Sequence, residues 1–161
     1  EPKTGTTMGG TSVTLTGENL GGLSSISFGN SPATIISNTD SQVVLKTPSH
    51  AAGQVDINIA TGQDATFKNM YTYLAPPIIE SSEPGLGSTA GKTKVKITGQ
   101  HFTGVTSVTF GGTAAQIQSS TDTQIIVNTG AHAAGSVDIK VSGKHGSFIY
   151  PASYTYTLTK K

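Results

Sequence analysis

Apolar and polar residues alternate in short bursts along the chain, and glycine, serine and aspartate cluster between the bursts. Over residues 94–98, Val95 and Ile97 fall on one side while Lys94, Lys96 and Thr98 fall on the other, the period-two mark of a half-buried strand. Val108 and Phe110 repeat the pattern, then Ala115 and Ile117, and Ile125, Ile126 and Val127 form a short continuous apolar strand. Val137, Ile139 and Val141 alternate with Asp138 and Lys140, and a last strand is predicted through Tyr154, Thr155 and Tyr156. Turn signals at Gly99, Gly111, Gly112, 119–122, Gly130 and 143–146 separate these segments. Strands recurring every ~8–12 residues without a helical period predict a seven-stranded sandwich. The run His132-Ala133-Ala134-Gly135 is long enough for one helical turn at most.

The same pattern occurs twice. Setting Glu1 against Glu83 aligns the halves without a gap for about 59 residues, with about 27 identities. Val13-Thr14-Leu15-Thr16-Gly17 matches Val95-Lys96-Ile97-Thr98-Gly99, Phe28-Gly29 matches Phe110-Gly111, and His50-Ala51-Ala52-Gly53 matches His132-Ala133-Ala134-Gly135. After Ile59 one inserted residue shifts the register, and Tyr71-Thr72-Tyr73 then falls on Tyr154-Thr155-Tyr156. A repeat of roughly 82 residues is too long for a solenoid unit and suits a small autonomous domain. Two domains are therefore expected, over residues 1–75 and 76–161. The junction carries Pro76-Pro77, whose restricted φ predicts a stiff connection, with the domains end to end over roughly 70–80 Å. The second repeat opens with an apolar strand at Pro77-Ile78-Ile79, and no counterpart precedes Glu1, so the first repeat is expected to lack its opening strand. We read the chain as a piece of a longer protein whose first repeat leaves one strand's backbone partly unpaired, a place where another strand can add.

Composition narrows the chemistry. The 161 residues include 25 Thr, 18 Ser and 20 Gly, but no Cys, Trp or Arg. Without cysteine there is no disulfide framework and no thiolate metal site, and without arginine there is no bidentate clamp for phosphate or carboxylate. The formal net charge of +1 provides no electrostatic footprint for nucleic acid. No apolar run approaches the length of a membrane span, so direct membrane insertion is not expected.

The second repeat's ordered series, Pro77-x-Ile79, Pro84, Gly87, Gly91, Val95-x-Ile97-x-Gly99, Phe102, Phe110-Gly111-Gly112 and His132-Ala133-Ala134-Gly135-x-Val137-Asp138-Ile139, resembles the IPT/TIG family of immunoglobulin-like domains. The resemblance covers nearly the whole chain, twice. The first repeat departs in lacking the opening Pro-x-Ile and in having Leu20 where the second has Phe102. The resemblance implies an all-β fold of two tandem immunoglobulin-like (E-set) sandwiches. Family members in transcription factors bind DNA through basic loops, which are missing here; Lys92, Lys94 and Lys96 alternate along one strand, as on a solvated face. Receptor members are typically cysteine-stapled, so the resemblance best fits a bacterial surface or secreted protein.

No residue set converges on a reaction. His50 and His132 are repeat-equivalent loop residues expected to bond a neighbouring carbonyl, while His101 and His145 align with Asn19 and Gln63 and are expected to lie exposed. Asp40 and Asp122 suit turns that bond a backbone amide, and Asp56 and Asp138 point outward from a strand. A glycosidase needs two carboxylates within roughly 5–10 Å, and a calcium site needs several oxygens in one loop. Glu18-Asn19 and the Thr39-Asp40 turn are the nearest approach to the latter. The glycine-rich stretches 4–11 and 85–91 read as turns and loops between strands, since they lack the lysine-serine ending of a phosphate loop and a following helix. Hence no catalytic, cofactor or metal site is expected. A glycan platform would use exposed aromatics, and Tyr150, which has no equivalent in the first repeat, is the candidate contact. The expectation is a non-catalytic stalk or spacer, extracellular or on a bacterial cell surface, working beside neighbouring domains of its parent and contributing to adhesion or to contact with a host or surface protein. The alternative is a carbohydrate-binding accessory module of a polysaccharide-handling protein.

Overall fold

A computed structural model describes residues 1–62 and 64–158. Gln63 and the last three residues of the second expected domain, 159–161, lie outside the described residues. The chain divides between Ala75 and Pro76 into two compact units. Both are β-sandwiches of immunoglobulin-like type, so the expected all-β fold is what the chain adopts.

The first unit comprises β1 (Thr4–Thr6), β2 (Ser12–Thr16), β3 (Ser25–Phe28), β4 (Ser31–Pro32), β5 (Thr34–Asn38), β6 (Gln42–Lys46), β7 (Gly53–Ala60) and β8 (Ala65–Leu74). One sheet has the order β1-β8-β7-β3-β4 and the facing one β2-β6-β5. The second unit comprises β9 (Ile78–Glu83), β10 (Leu86–Ser88), β11 (Lys94–Gln100), β12 (Val105–Phe110), β13 (Thr113–Ala114), β14 (Gln116–Ser120), β15 (Gln124–Asn128), β16 (Gly135–Gly143) and β17 (Gly146–Thr157). Its sheets run β10-β17-β16-β12-β13 and β14-β15-β11-β9.

These are more elements than the seven strands that alternation predicts. The additional ones are short, and β1 and β10 carry a glycine where an alternating apolar residue would announce a strand. In the second unit the opening segment serves both sheets. β9 pairs antiparallel with β11, and beyond Pro84, which has no amide to donate, β10 pairs parallel with β17. The His-Ala-Ala-Gly runs form no helical turn; they lead in open loops into β7 and β16. The one helical feature among the described residues is a 3-10 turn at Leu20–Gly22.

Each core is built on the last strand. Tyr71 and Tyr73 in one unit, and Tyr154 and Tyr156 in the other, are 0–1% exposed. Phe28 meets Tyr71 edge-on at 4.9 Å, and Phe110 meets Tyr154 at the same distance. Val95 and Ile97 lie fully buried beneath them, as the alternation requires.

Both last strands bulge just before the tyrosines. The ladder slips between Val55 and Ile57 against β8, and between Val137 and Ile139 against β17. At each bulge an aspartate from the neighbouring strand accepts a backbone N–H: Asp56 Oδ1 from Asn69 at 2.9 Å, Asp138 Oδ1 from Ala152 at 2.8 Å. The held residues have φ of 52° and 45°. Asparagine tolerates that left-handed region, whereas alanine is strained there by roughly 1–2 kcal/mol. Ala152→Asn, which installs the first unit's residue in the second, is therefore expected to raise stability by about 0.5–1 kcal/mol in denaturant titration. An unchanged or lowered midpoint would show that the bulge does not impose this strain.

Candidate functional site

The two units differ most along one sheet edge. In the second, β11 is flanked by β15 on one side and β9 on the other, with Lys96 opposite Glu83, Ile97 opposite Ser82 and Gly99 opposite Ile79. In the first, β2 has β6 on one side, and on the other a single paired residue among those described. That residue is Glu1: its ammonium donates to the Thr14 carbonyl at 2.7 Å, and its carbonyl accepts from the Thr14 amide at 2.9 Å. Beyond Glu1 the edge opens into a groove of about 400 Å³, floored by Leu15, Leu20, Ile57, Ile59, Phe67 and Met70. Phe67 and Met70 are 46% and 42% exposed there. The equivalent place in the second unit is plugged by Ile79, which is 3% exposed.

Tyr150 stands beside that plugged place. Its ring is half-buried against the core, and its hydroxyl donates to the Glu80 carbonyl of β9 in a long contact of 3.3 Å. Ser153 Oγ donates to the Tyr150 carbonyl at 2.7 Å, and Ser82 Oγ reaches the Ser153 carbonyl at 3.4 Å. The side chain singled out as a glycan contact thus helps hold the opening strand against the last one. Bond counting along a sequence cannot show this, because Glu80 and Tyr150 are 70 residues apart.

The histidines are placed by packing. His50 and His132 stack on Tyr73 and Tyr156 at 5.0 and 4.9 Å, with Nδ1 2.9 Å from the Ala51 and Ala133 carbonyls. Those tyrosine hydroxyls donate in turn to the Pro48 and Gly130 carbonyls, at 2.9 and 3.1 Å. His101 is exposed, at φ 61°, and its counterpart Asn19 has φ 58°. His145 is only half-exposed, contrary to the reading of a free loop residue, because its ring lies over Gly104 where a larger residue would stand in its way. Lys94 and Lys96 are exposed along β11, whereas Lys92, expected on the same strand, is exposed in the loop before it at φ 62°.

The carboxylates serve the backbone. Asp122 Oδ1 accepts from the Thr103 hydroxyl at 2.8 Å and its amide at 3.3 Å, which holds the carboxyl below its ordinary range. Lys68 Nζ donates to Asp56 Oδ2 at 2.7 Å and, with the Asn69 amide, likewise lowers Asp56. Asp40 offers its main-chain carbonyl to the Leu20 amide. Glu18 and Asn19 are exposed beside the groove's mouth. Among the described residues, no three of His, Asp and Glu gather closely enough to hold a metal ion. No helix of the described residues is long and apolar enough to cross a membrane.

The sequence profile of a family described as IPT/TIG domain matches residues 1–74 and again 77–158. Fibrocystin-L of Homo sapiens is 31% identical over 104 residues, 63% of this chain and 2% of that protein. Fibrocystin-L of Mus musculus is 32% identical over 123 residues, 75% of this chain and 3% of that protein. The chain therefore spans a few hundredths of the curated relatives it matches. Among solved structures, the full extracellular region of plexin A4 is similar in fold, with TM-score 0.57, 19% identity, and coverage of 98% of this chain and 15% of that one. A surface glycan-binding protein of Prevotella bryantii is similar at TM-score 0.45 and 21% identity, over 96% of this chain and 38% of that one.

Burial, and after it the neighbouring Tyr71, push the Tyr73 hydroxyl up to about 12; Tyr156 is raised for the same reasons, burial and Tyr154. The folded state therefore favours neutral tyrosine. This contribution is complete below the unfolded value near 10 and is lost as pH rises through 12. Denaturant titrations from pH 8 to 12 are expected to show stability falling above pH ~10, less steeply in Tyr73→Phe. Tyrosinate forming at Tyr73 at its ordinary pH, with the fold intact, would contradict this.

Proposed function

The chain belongs to the IPT/TIG domain family, and on that premise we propose that it is a non-catalytic spacer segment of a larger extracellular or cell-surface protein. On this reading it positions other domains of its parent, and ligand binding resides elsewhere in that parent. The observation that carries the reading is where the aromatic side chains go. Of five Tyr and five Phe, seven (Phe28, Tyr71, Tyr73, Phe102, Phe110, Tyr154 and Tyr156) are no more than 1% exposed. Phe148 and Tyr150 pack against the second core, and Phe67, 46% exposed in the groove beside β2, is the one aromatic face left among the ten. Both copies commit the same histidines and aspartates to loops and bulges, as a repeated structural part would.

The bacterial setting suggested by the resemblance remains part of the proposal, although the curated relatives are mammalian proteins. Extracellular placement draws support from the similarity in fold to plexin A4, whose matched region is extracellular. The carbohydrate-binding reading stands as the outcome that would displace this one.

A glycan array probed with the whole chain distinguishes them. The spacer reading expects no saturable binding, and Tyr150→Ala is expected to weaken the second unit by about 1 kcal/mol through loss of its contact with β9. Micromolar binding that disappears in Tyr150→Ala, in a variant that stays folded by circular dichroism, would replace the spacer with a glycan-binding module.

A further inference from the structure

Each unit binds a short early strand to its last one in parallel: β1 runs beside β8, and β10 beside β17. We propose that the Tyr71 and Tyr154 hydroxyls, seated over Gly5 and Gly87, form a detent that stops these strand pairs from sliding when the chain is stretched along its length. Its purpose rests on the spacer reading, while its mechanism rests on geometry alone.

Topology sets the direction of the load. Tension along the chain draws β1 and β10 toward the amino-terminal side, and β8 and β17 toward the carboxyl-terminal side. In a parallel pair those pulls are opposed and run along the strands, so the ladder is sheared and its bonds are loaded together. The bonds that frame the two ladders match. The Thr72 amide donates to the Lys3 carbonyl at 3.0 Å and the Thr7 amide to the Leu74 carbonyl at 3.3 Å; Thr155 donates to Gly85 at 2.9 Å and Thr89 to Thr157 at 3.0 Å.

The glycines turn this pair into a notch. Strand facing recurs every second residue, so the nearest register in which the ladder re-forms shifts β10 by two places. Tension then brings Thr89 to the place of Gly87 and, in the first unit, Thr7 to the place of Gly5. A side-chain carbon at either place overlaps the tyrosine hydroxyl, and threonine brings a branched one. The rings have no free space to swing into. They are buried, meet Phe28 and Phe110 edge-on at 4.9 Å, and lie 5.1 Å from Tyr73 and Tyr156. Slipping therefore requires the core to open around the ring first.

The two hydroxyls have no hydrogen-bond partner among the described residues, so removing them breaks no bond. What they supply is an obstacle in the path of the slip. Resistance to stretching and equilibrium stability are thereby separable.

The test holds the full chain between its two ends at constant force and compares it with the double variant Tyr71→Phe/Tyr154→Phe. Lifetime under load is expected to shorten at least about tenfold, while the unfolding rate in denaturant stays within about twofold. Thr7→Gly with Thr89→Gly is likewise expected to shorten the lifetime by more than it speeds unfolding in denaturant, because the notch then continues past the glycine. Lifetimes that the Phe variant leaves unchanged, or shortens only by the factor seen in denaturant, would overturn the proposal. A Phe effect that the Thr variants do not reproduce would also count against it, since the hydroxyl would then act by some route other than blocking the slip. Saturable glycan binding would end the spacer reading and leave these lifetimes as they are, so the two can fail separately.

Discussion

A tyrosine laid against a glycine is the contact on which each sandwich depends. Tyr71 and Tyr154 are buried, and their hydroxyls have no hydrogen-bond partner among the described residues where they lie over Gly5 and Gly87. A side-chain carbon on either glycine would overlap that hydroxyl and the neighbouring Thr11 or Thr93. Leaving a hydroxyl unbonded in the interior costs about 1–3 kcal/mol, and the compensation is burial of a whole ring with its edge-on contact to Phe28 or Phe110. The glycines lie on β1 and β10, which pair parallel with the tyrosine strands and so close each larger sheet at its edge. Two residues along, Tyr73 and Tyr156 tie loop carbonyls and hold the histidine rings.

From that arrangement the strand order follows. The last strand must pair antiparallel over its length, receive a parallel neighbour at its end, and present two tyrosines to one face. A bulge reconciles these demands, and Asp56 or Asp138 holds it by accepting one amide. With nearly all the aromatic residues engaged in this way, polar surface, exposed sheet edges and the groove beside β2 with Phe67 and Met70 are left for contact with the outside. Backbone pairing at an edge needs no special side chain, which suits a composition without Trp, Arg or Cys.

Much of this was legible in the sequence, since alternation reports burial directly. Val95 and Ile97, Val108 and Phe110, and the paired tyrosines all face inward as their spacing requires. The parts that were not legible depend on geometry between distant segments. Gly5 and Gly87 read as turn residues but belong to strands, because the reason for glycine is a ring about 66 residues away in sequence. Asp56 and Asp138 do point outward, yet their bonds to Asn69 and Ala152 appear only once the bulge is known. Tyr150 looked free because its partner is a main-chain carbonyl, which leaves no trace in residue type. The close approach at Gly99, where the Ile78 carbonyl and the Phe102 ring leave no room for a side-chain carbon, likewise depends on β9, a strand well before it in sequence.

The most direct test of the tyrosine–glycine constraint is a double-mutant cycle on Gly87→Ala and Tyr154→Phe, read by denaturant titration. Gly87→Ala alone is expected to cost about 2 kcal/mol or more, and Tyr154→Phe, which removes an unbonded hydroxyl, to be neutral or slightly stabilising. Together they should recover at least about 1 kcal/mol of the loss, the remainder reflecting Thr93. Strictly additive effects, or a harmless Gly87→Ala, would contradict the account.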